Sequence, residues 1–97
     1  MKLVRSKLYI KQTGFVEETV GNETVVVPLV GTVAQMEKVF SLNEIGSFIY
    51  NNMNSEKSTG EIIELILNEF EVDKQTAEKD LEQFLKKAVA NGIIKEL

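Results

Sequence analysis

The side chains that could do chemistry in this 97-residue chain are hydroxyls, carboxylates and lysines, because it contains no cysteine and no histidine. The missing thiol excludes disulfides and thiolate nucleophiles, and the missing imidazole removes the commonest general base and metal ligand. No serine lies in a nucleophile elbow, and no glycine belongs to a phosphate-binding loop followed by a lysine. We therefore expect a protein that is not an enzyme and that binds no cofactor or metal.

The carboxylates do not form a catalytic pair. Glu17 and Glu18 are adjacent on a predicted strand, so their side chains should point to opposite faces of the sheet. Glu61 and Glu64 lie on the outer face of a predicted helix, where solvated carboxylates are usual. The chemistry of the chain is thus more typical of binding than of catalysis.

The bulk properties indicate one small domain. Hydrophobic residues make up 43% of the chain, enough for one modest core. No signal peptide and no run of about 18 apolar residues is present, so we expect a cytoplasmic protein. The net charge of −4 is uneven: residues 1–40 carry +1, and residues 41–97 carry −5, from six lysines against eleven acidic residues. An acidic half is a poor match for nucleic acid.

The first half of the chain reads as strands. Residues 15–20 alternate as a half-buried strand does, residues 21–23 have the Gly-Asn chemistry of a tight turn, and the β-branched residues 24–27 form the return strand. Pro28 should end that strand or place it along an edge. Residues 33–39 predict a third strand, with neither face cleanly polar.

The lead-in before these strands is weakly patterned. Residues 1–14 are predicted to be loosely ordered, and only Leu8, Tyr9 and Ile10 have the composition of a segment that pairs with another strand. We treat residues 1–97 as a single domain because no linker, repeat or low-complexity segment interrupts them.

A strand-to-helix junction follows the third strand. Ser41 and Glu44 have the S-x-x-E spacing of a capping box, and Phe40 and Ile45 have the spacing of a hydrophobic staple. These patterns predict a helix that begins after Ser41. It should end in the asparagine-rich loop of residues 51–55.

Two more helices complete the chain. Ser58 and Glu61 form a second capping-box pattern, and Asp73 is the predicted cap of the third helix. Gly92 is the expected stop of that helix, after which residues 93–94 should fold back on the core. The predicted fold class is α+β: an N-terminal three-stranded antiparallel sheet followed by a three-helix, winged-helix-like bundle.

A small regulatory or DNA-binding helix-turn-helix protein is one alternative function. The second and third helices are joined by a very short turn, as in that motif. The third helix, however, has as many acidic residues as lysines and no arginine to pair with guanine. The predicted hairpin of this chain also precedes the helices, whereas a winged helix usually places its hairpin after the recognition helix.

A peptide-binding module is the other alternative, because a free sheet edge beside a helix can accept an extended peptide as an added strand. The candidate edge consists of Val33, Ala34, Gln35, Met36, Glu37, Lys38 and Val39. The candidate helix wall consists of Leu81, Phe84, Leu85 and Ala88, which are also candidate core residues. The same open edge could instead pair with a second copy of the chain and form a homodimer.

Five motifs together give the chain a resemblance to a known family. Residues 42–50 (LNEIGSFIY) resemble the L-N-E-T signature of the PqqD family, the small proteins of pyrroloquinoline quinone biosynthesis and the related recognition elements for precursor peptides. The family's later motifs resemble residues 58–63, 70–73, 80–85 and 92–94, in the same order and at the same spacings. Tyr50 stands where the family usually has tryptophan, and Ala88 where it usually has leucine.

The resemblance implies a function. A PqqD-like protein would bind the leader segment of a ribosomally made precursor peptide beside its third strand, against its third helix. It would act as a non-catalytic chaperone that presents the peptide to a modifying enzyme, often a radical SAM protein. Two flanks of the third helix could face that groove: Asp80, Lys87 and Asn91, or Glu78 and Val89.

Overall fold

The computed structural model describes residues 5–30, 33–34 and 39–97. Strands and helices alternate through the second half rather than forming two separate blocks. The strands are β1 (Leu8–Lys11), β2 (Phe15–Val20), β3 (Glu23–Val30), β4 (Val33–Ala34), β5 (Phe40–Leu42), β6 (Asn54–Ser58) and β7 (Ile94–Glu96). The helices are α1 (Glu44–Asn51), α2 (Thr59–Glu69) and α3 (Lys74–Ala90). The predicted α+β class and the three helices are confirmed.

The first sheet is built on the predicted hairpin of β2 and β3. The two strands are antiparallel, with Val20 opposite Glu23 and Phe15 opposite Pro28. Gly21 takes the positive φ of 63° that the tight turn needs. Both β4 and β5 pair with the other edge of β3.

β2 is more exposed than its alternation predicts. Val16 is 47% exposed and Val20 is 66% exposed, and only Phe15 packs against the core. The prediction of a half-buried strand is therefore wrong for most of β2. The reason is that the face of the strand that carries Val16 and Val20 has no layer packed against it.

The predicted third strand is displaced along the chain. Val33 and Ala34 do pair with β3, as β4. Gln35, Met36, Glu37 and Lys38 lie outside the described residues, and Val39 is not in a strand. The longer pairing is made by β5, at residues where the sequence predicts the start of a helix. Ala34 lies opposite Leu29, and Phe40 lies opposite Val26. Three residues of β3 therefore correspond to six residues of the segment that pairs with it. The prediction of one continuous third strand over residues 33–39 is wrong.

The first helix begins later than predicted. Its N-cap is Asn43, whose side-chain oxygen accepts a hydrogen bond of 2.8 Å from the Gly46 N–H. Ser41 is instead part of β5 and lies opposite Val25. The predicted capping box of Ser41 and Glu44 is therefore wrong, and so is the staple that depended on it. Pairing with β3 keeps Ser41 extended, and asparagine caps a helix as well as serine does.

The other helix boundaries are confirmed. Ser58 and Glu61 form the predicted capping box, with hydrogen bonds of 3.3 Å and 3.0 Å in the two directions. Asp73 caps α3 through a bond of 2.7 Å from the Thr76 N–H. Gly92, just past the end of α3, has a positive φ of 74°. These caps involve residues only three positions apart, which is why the sequence reveals them.

A second sheet joins the two ends of the chain. β1 is its central strand and pairs antiparallel with β6 on one side and β7 on the other. The sequence predicts a loop over residues 51–55, where β6 begins, because asparagine is a poor strand former. That prediction is wrong for Asn54 and Ser55, the part of the predicted loop that lies in β6. The strand depends on partners far away in the sequence, such as Leu8 opposite Ser58.

The core is formed by the helices, β3 and the second sheet. Its buried members are Tyr9, Val26, Ile49, Tyr50, Met53, Ile62, Ile63, Ile66, Ala77, Leu81, Leu85, Ala88, Ile93 and Ile94. Ile93 and Ile94 are only 2% and 1% exposed, so the predicted return of the C-terminal segment to the core is confirmed. The longest described helix, α3, has 17 residues, and no helix in these ranges has the length and apolarity to cross a membrane.

Candidate functional site

The pairing of β3 determines which backbone groups of the first sheet are free. The Leu29 N–H donates to the Gly14 carbonyl at 2.8 Å, across the side of β3 that faces β2. Successive residues of a strand direct their N–H and C=O groups to alternate sides. The odd-numbered residues of β3 therefore bond to β2, and its even-numbered residues face β5.

The same alternation leaves an open edge on β5. Phe40 and Leu42 lie opposite Val26 and Thr24, two of the even-numbered residues of β3, so their backbone groups are used in that pairing. The N–H and C=O of Ser41 must then point to the other side. Within the residues that the structure describes, no strand pairs with that side of β5. An added strand would find its donors and acceptors there.

A groove separates this open edge from α3. It consists of two cavities of about 290 Å³ and 270 Å³ that share Ser41, Leu42, Phe84 and Lys87. The first cavity is lined by Ser41, Leu42, Asn43, Ile45, Gly46, Ile49, Asp80, Gln83, Phe84 and Lys87. The second is lined by Val39, Phe40, Ser41, Leu42, Phe84, Lys87, Ala88, Asn91 and Ile93. We call this pair of cavities the β5–α3 groove.

The predicted helix wall is divided between the groove and the core. Phe84 is half-buried, lines both cavities and packs against the ring of Tyr50 with centroids 6.5 Å apart. Ala88 forms part of the second cavity. Leu81 and Leu85, at 0% and 7% exposure, belong to the core and line neither cavity.

The structure places one flank of α3 at the groove. Asp80, Lys87 and Asn91 all line it. Glu78 faces the other way and forms an ion pair of 3.3 Å with Arg5. The side-chain amide of Asn91 donates to the Lys87 carbonyl at 2.8 Å, which holds it at the C-terminal end of the helix. The helix side of the groove therefore has a polar rim around an aromatic centre.

A glycine makes room at the start of α1. A Cβ atom on Gly46 would lie 3.2 Å from the capping oxygen of Asn43 and 3.5 Å from the Leu42 Cβ. Both neighbours line the first cavity, so a larger residue at Gly46 would disturb the helix cap and the groove together. Even alanine at this position would require Asn43 to shift by a few tenths of an ångström.

The sequence missed the groove residues of β5 and α1. The sequence pattern places Phe40 and Ser41 at a helix start and Ile45 in a staple with Phe40, and it gives none of them a role in a groove. The signal that could have identified the strand is the apolar-polar-apolar order of residues 40–42, which is too short to be distinguished from a cap. Among the described residues, no group of three or more acidic side chains is arranged to hold a metal ion.

Comparison with known proteins agrees with this geometry. A search of curated proteins finds no match. A solved structure, "TbiB1 in Complex with the TbiA(beta) Leader Peptide", is similar over 89% of this chain and 94% of that chain, with a TM-score of 0.72 and 27% sequence identity. The family model described as coenzyme PQQ synthesis protein D (PqqD) matches residues 23–94, which include β3, β5 and all three helices. The chain therefore belongs to the PqqD family.

Proposed function

We propose that this protein binds the leader segment of a ribosomally made precursor peptide in the β5–α3 groove. The observation that supports this function best is the open edge of β5, with cavities between that edge and α3. The similar protein TbiB1 has been solved with a leader peptide bound. The leader would lie antiparallel to β5 and extend the first sheet by one strand.

The register of β5 indicates how the peptide would lie. One peptide residue would exchange hydrogen bonds with the N–H and C=O of Ser41. Side chains of directly opposed residues point to the same face of a sheet, so the peptide residues on either side would share the face of Phe40 and Leu42. That face is the one that packs towards the core and the groove. Alternate side chains of the leader would therefore enter the two cavities.

The cavities must supply most of the affinity. A hydrogen bond contributes about 0.5–1.5 kcal/mol net, whereas ordering one residue of the peptide costs about 1–2 kcal/mol. The free energy gained from backbone hydrogen bonds is therefore nearly cancelled by the cost of ordering the peptide. Burying two apolar side chains would add about 3–6 kcal/mol. Phe84 is half-buried and lines both cavities, so we expect it to contact both of the peptide's buried side chains.

The proposed site keeps part of the predicted edge and wall. Val39, Phe84 and Ala88 line the groove, and β4, with Val33 and Ala34, pairs with the same edge of β3 as β5 does. Residues 35–38 were predicted to belong to this edge, and no part of the proposal depends on them. Leu81 and Leu85 would act from the core, by holding the groove face of α3 in position.

We further propose that the protein is a non-catalytic, cytoplasmic chaperone that presents the leader to a modifying enzyme, for which a radical SAM protein is the candidate. The composition supports a binding role, since the chain has neither histidine nor cysteine. Nothing on α3 favours the DNA-binding alternative: its four lysines are interspersed with three acidic residues, it has no arginine, and Phe84 and Lys87 face the groove.

A matched pair of variants at Ser41 tests the proposal. The labelled protein is titrated by NMR with the leader half of the short precursor peptide encoded in its own operon. Ser41→Ala keeps the N–H that faces the open edge and should bind normally. Ser41→Pro removes that N–H without removing a bond to β3, and it should abolish binding while the helices stay folded. If the folded Ser41→Pro protein binds as tightly as the parent, strand addition at β5 is wrong.

The same samples test the homodimer alternative. If a second copy pairs with the β5 edge, the parent should elute as a dimer during size-exclusion chromatography and Ser41→Pro as a monomer. A monomeric parent whose resonances shift in the groove on adding the leader would support peptide binding instead.

A further inference from the structure

A third cavity lies on the opposite side of α1 from the groove. Its volume is about 480 Å³, and it is open at the tip of the β2–β3 hairpin. It is lined by Thr19, Gly21, Asn22, Thr24, Glu44, Ser47, Phe48, Asn51, Glu69, Phe70 and Glu71. We call it the acidic cavity. The leader-binding proposal makes no use of it.

The helix α1 separates the acidic cavity from the groove. Ile45, Gly46 and Ile49 line the groove, whereas Ser47 and Phe48 line the acidic cavity. These two sets lie on different faces of the helix. A ligand in one cavity would therefore leave the other accessible, as a protein that holds a peptide and an enzyme together requires.

The carboxylates of this cavity lack compensating charges. Glu44, Glu69 and Glu71 are all exposed, and no ion pair is formed by them within the described part of the chain. Glu69 is the last residue of α2, and that helix has no basic residue in its last turn. The C-terminal end of a helix carries partial negative charge, so an acidic residue there is unfavourable until a cation approaches.

The cavity has an aromatic surface, and a residue with an unpartnered buried hydroxyl is part of its lining. The rings of Phe48 and Phe70 meet edge to face, with centroids 5.3 Å apart and planes at 86°. Thr24 is only 1% exposed, lines the cavity, and its hydroxyl has no hydrogen-bond partner among the described residues. A group that carries positive charge, stacks on rings and donates several hydrogen bonds would suit all of these features.

We propose that the acidic cavity is a docking site for an arginine-bearing segment of the modifying enzyme. A guanidinium group stacks on aromatic rings, presents five donors and is always charged, which a lysine ammonium does not match. The identity of the partner as that enzyme rests on the proposed function. The chemistry of the cavity does not, because the charges, rings and free hydroxyl are present whether or not a leader binds.

The test uses two synthetic pentapeptides as probes. Acetyl-Gly-Arg-Gly-Arg-Gly-amide and the matching peptide with glutamate in place of arginine are titrated into the labelled full-length protein at equal ionic strength. We expect the arginine peptide to shift the amide resonances of the acidic cavity, and the glutamate peptide to shift none. No shift with the arginine peptide, or shifts spread evenly over all acidic surfaces, would overturn the proposal.

Two double variants with the same change in net charge sharpen this result. Glu69→Gln with Glu71→Gln should weaken binding of the arginine peptide about tenfold, since each exposed ion pair contributes up to about 1 kcal/mol. The control, Glu56→Gln with Glu82→Gln, changes carboxylates outside the cavity and should leave the affinity unchanged. Equal weakening in both variants would mean that net charge alone attracts the peptide, and the proposal would be wrong.

Titrating the leader peptide into the same variants separates the two proposals. If the leader binds every variant normally and the arginine peptide binds none, only the docking site is wrong. If the arginine peptide binds at the cavity and the leader fails to bind the folded parent, leader binding is wrong and the cavity still recognises arginine.

Discussion

The side-chain oxygen of Asn43 lies 2.8 Å from the backbone nitrogen of Gly46, and this bond, rather than one from Ser41, starts helix α1. The Asn43 carbonyl also accepts from the Ser47 N–H at 2.8 Å. Ser41, two residues earlier, pairs with β3 as part of β5 and lies at the open edge. A cap at Asn43 is compatible with that strand, whereas a cap at Ser41 would replace it with a helix start.

The first prediction compares the two possible caps. Asn43→Ala should lower the free energy of unfolding by about 1 kcal/mol, because the Gly46 N–H loses its acceptor. Ser41→Ala should change it by much less, since the Ser41 side chain is exposed and caps nothing in this structure. Urea denaturation followed by circular dichroism measures both values. A larger loss for Ser41→Ala than for Asn43→Ala would contradict the assigned cap.

The second prediction fills part of the groove. Ala88 is 3% exposed and lines the cavity of about 270 Å³ between β5 and α3. Leucine is usual in the family at this position, but here the cavity is formed around alanine, so Ala88→Leu should make it too small for the matching side chain of this protein's own leader and weaken leader binding about tenfold. Isothermal titration calorimetry with the leader peptide measures the effect.

Ala90→Leu is the matched control for that variant. Ala90 is also on α3, two residues further along, and it is exposed and lines neither groove cavity. The Ala90→Leu protein should bind the leader with the same affinity as the parent. If Ala88→Leu folds and binds the leader normally, the second cavity does not receive a side chain of the peptide.

The third prediction concerns the free hydroxyl of Thr24. A buried hydroxyl without a partner is unfavourable, because it loses its bonds to water and gains none in return. Thr24→Val keeps the shape of the side chain and removes the hydroxyl, so it should raise the free energy of unfolding by about 1 kcal/mol. Thermal and urea denaturation both measure this. A clear loss of stability would mean that the hydroxyl is bonded in solution.

The fourth prediction is a dependence of stability on pH. The hydrogen bond from the Thr76 N–H lowers the pKa of Asp73 below its ordinary value of 3.8. A carboxyl group whose pKa is lower in the folded state stabilises the fold while it is ionised. This contribution should be complete above about pH 4.5, and it should be lost as the pH falls through the folded pKa of Asp73. The melting temperature should fall over that range.

Asp73→Asn is the control for the pH dependence. Asparagine caps a helix about as well as aspartate but has no carboxyl group to titrate. The variant should therefore lose less stability than the parent between pH 5 and pH 3. Glu61, whose pKa is also lowered by a bond from the Ser58 N–H, should leave part of the dependence in place. Identical pH profiles for parent and variant would contradict the role of Asp73.

Features that depend on neighbouring residues could be predicted from the sequence. The Gly21 turn, the caps at Ser58 and Asp73 and the stop at Gly92 were all predicted correctly, because each is a bond or a conformation within about four residues. The family resemblance came from those same local motifs and is confirmed by the match over residues 23–94.

Two strands formed in segments whose local sequence is not typical of a strand, and they could be located only from the tertiary structure. Asn54–Ser58 has a composition typical of a loop, yet it pairs with β1, which lies more than 40 positions away. Phe40–Leu42 has the pattern of a helix start, yet it pairs with β3. A strand is stabilised by a partner that the local sequence does not contain. The open edge of β5, the groove and the acidic cavity all follow from those distant pairings.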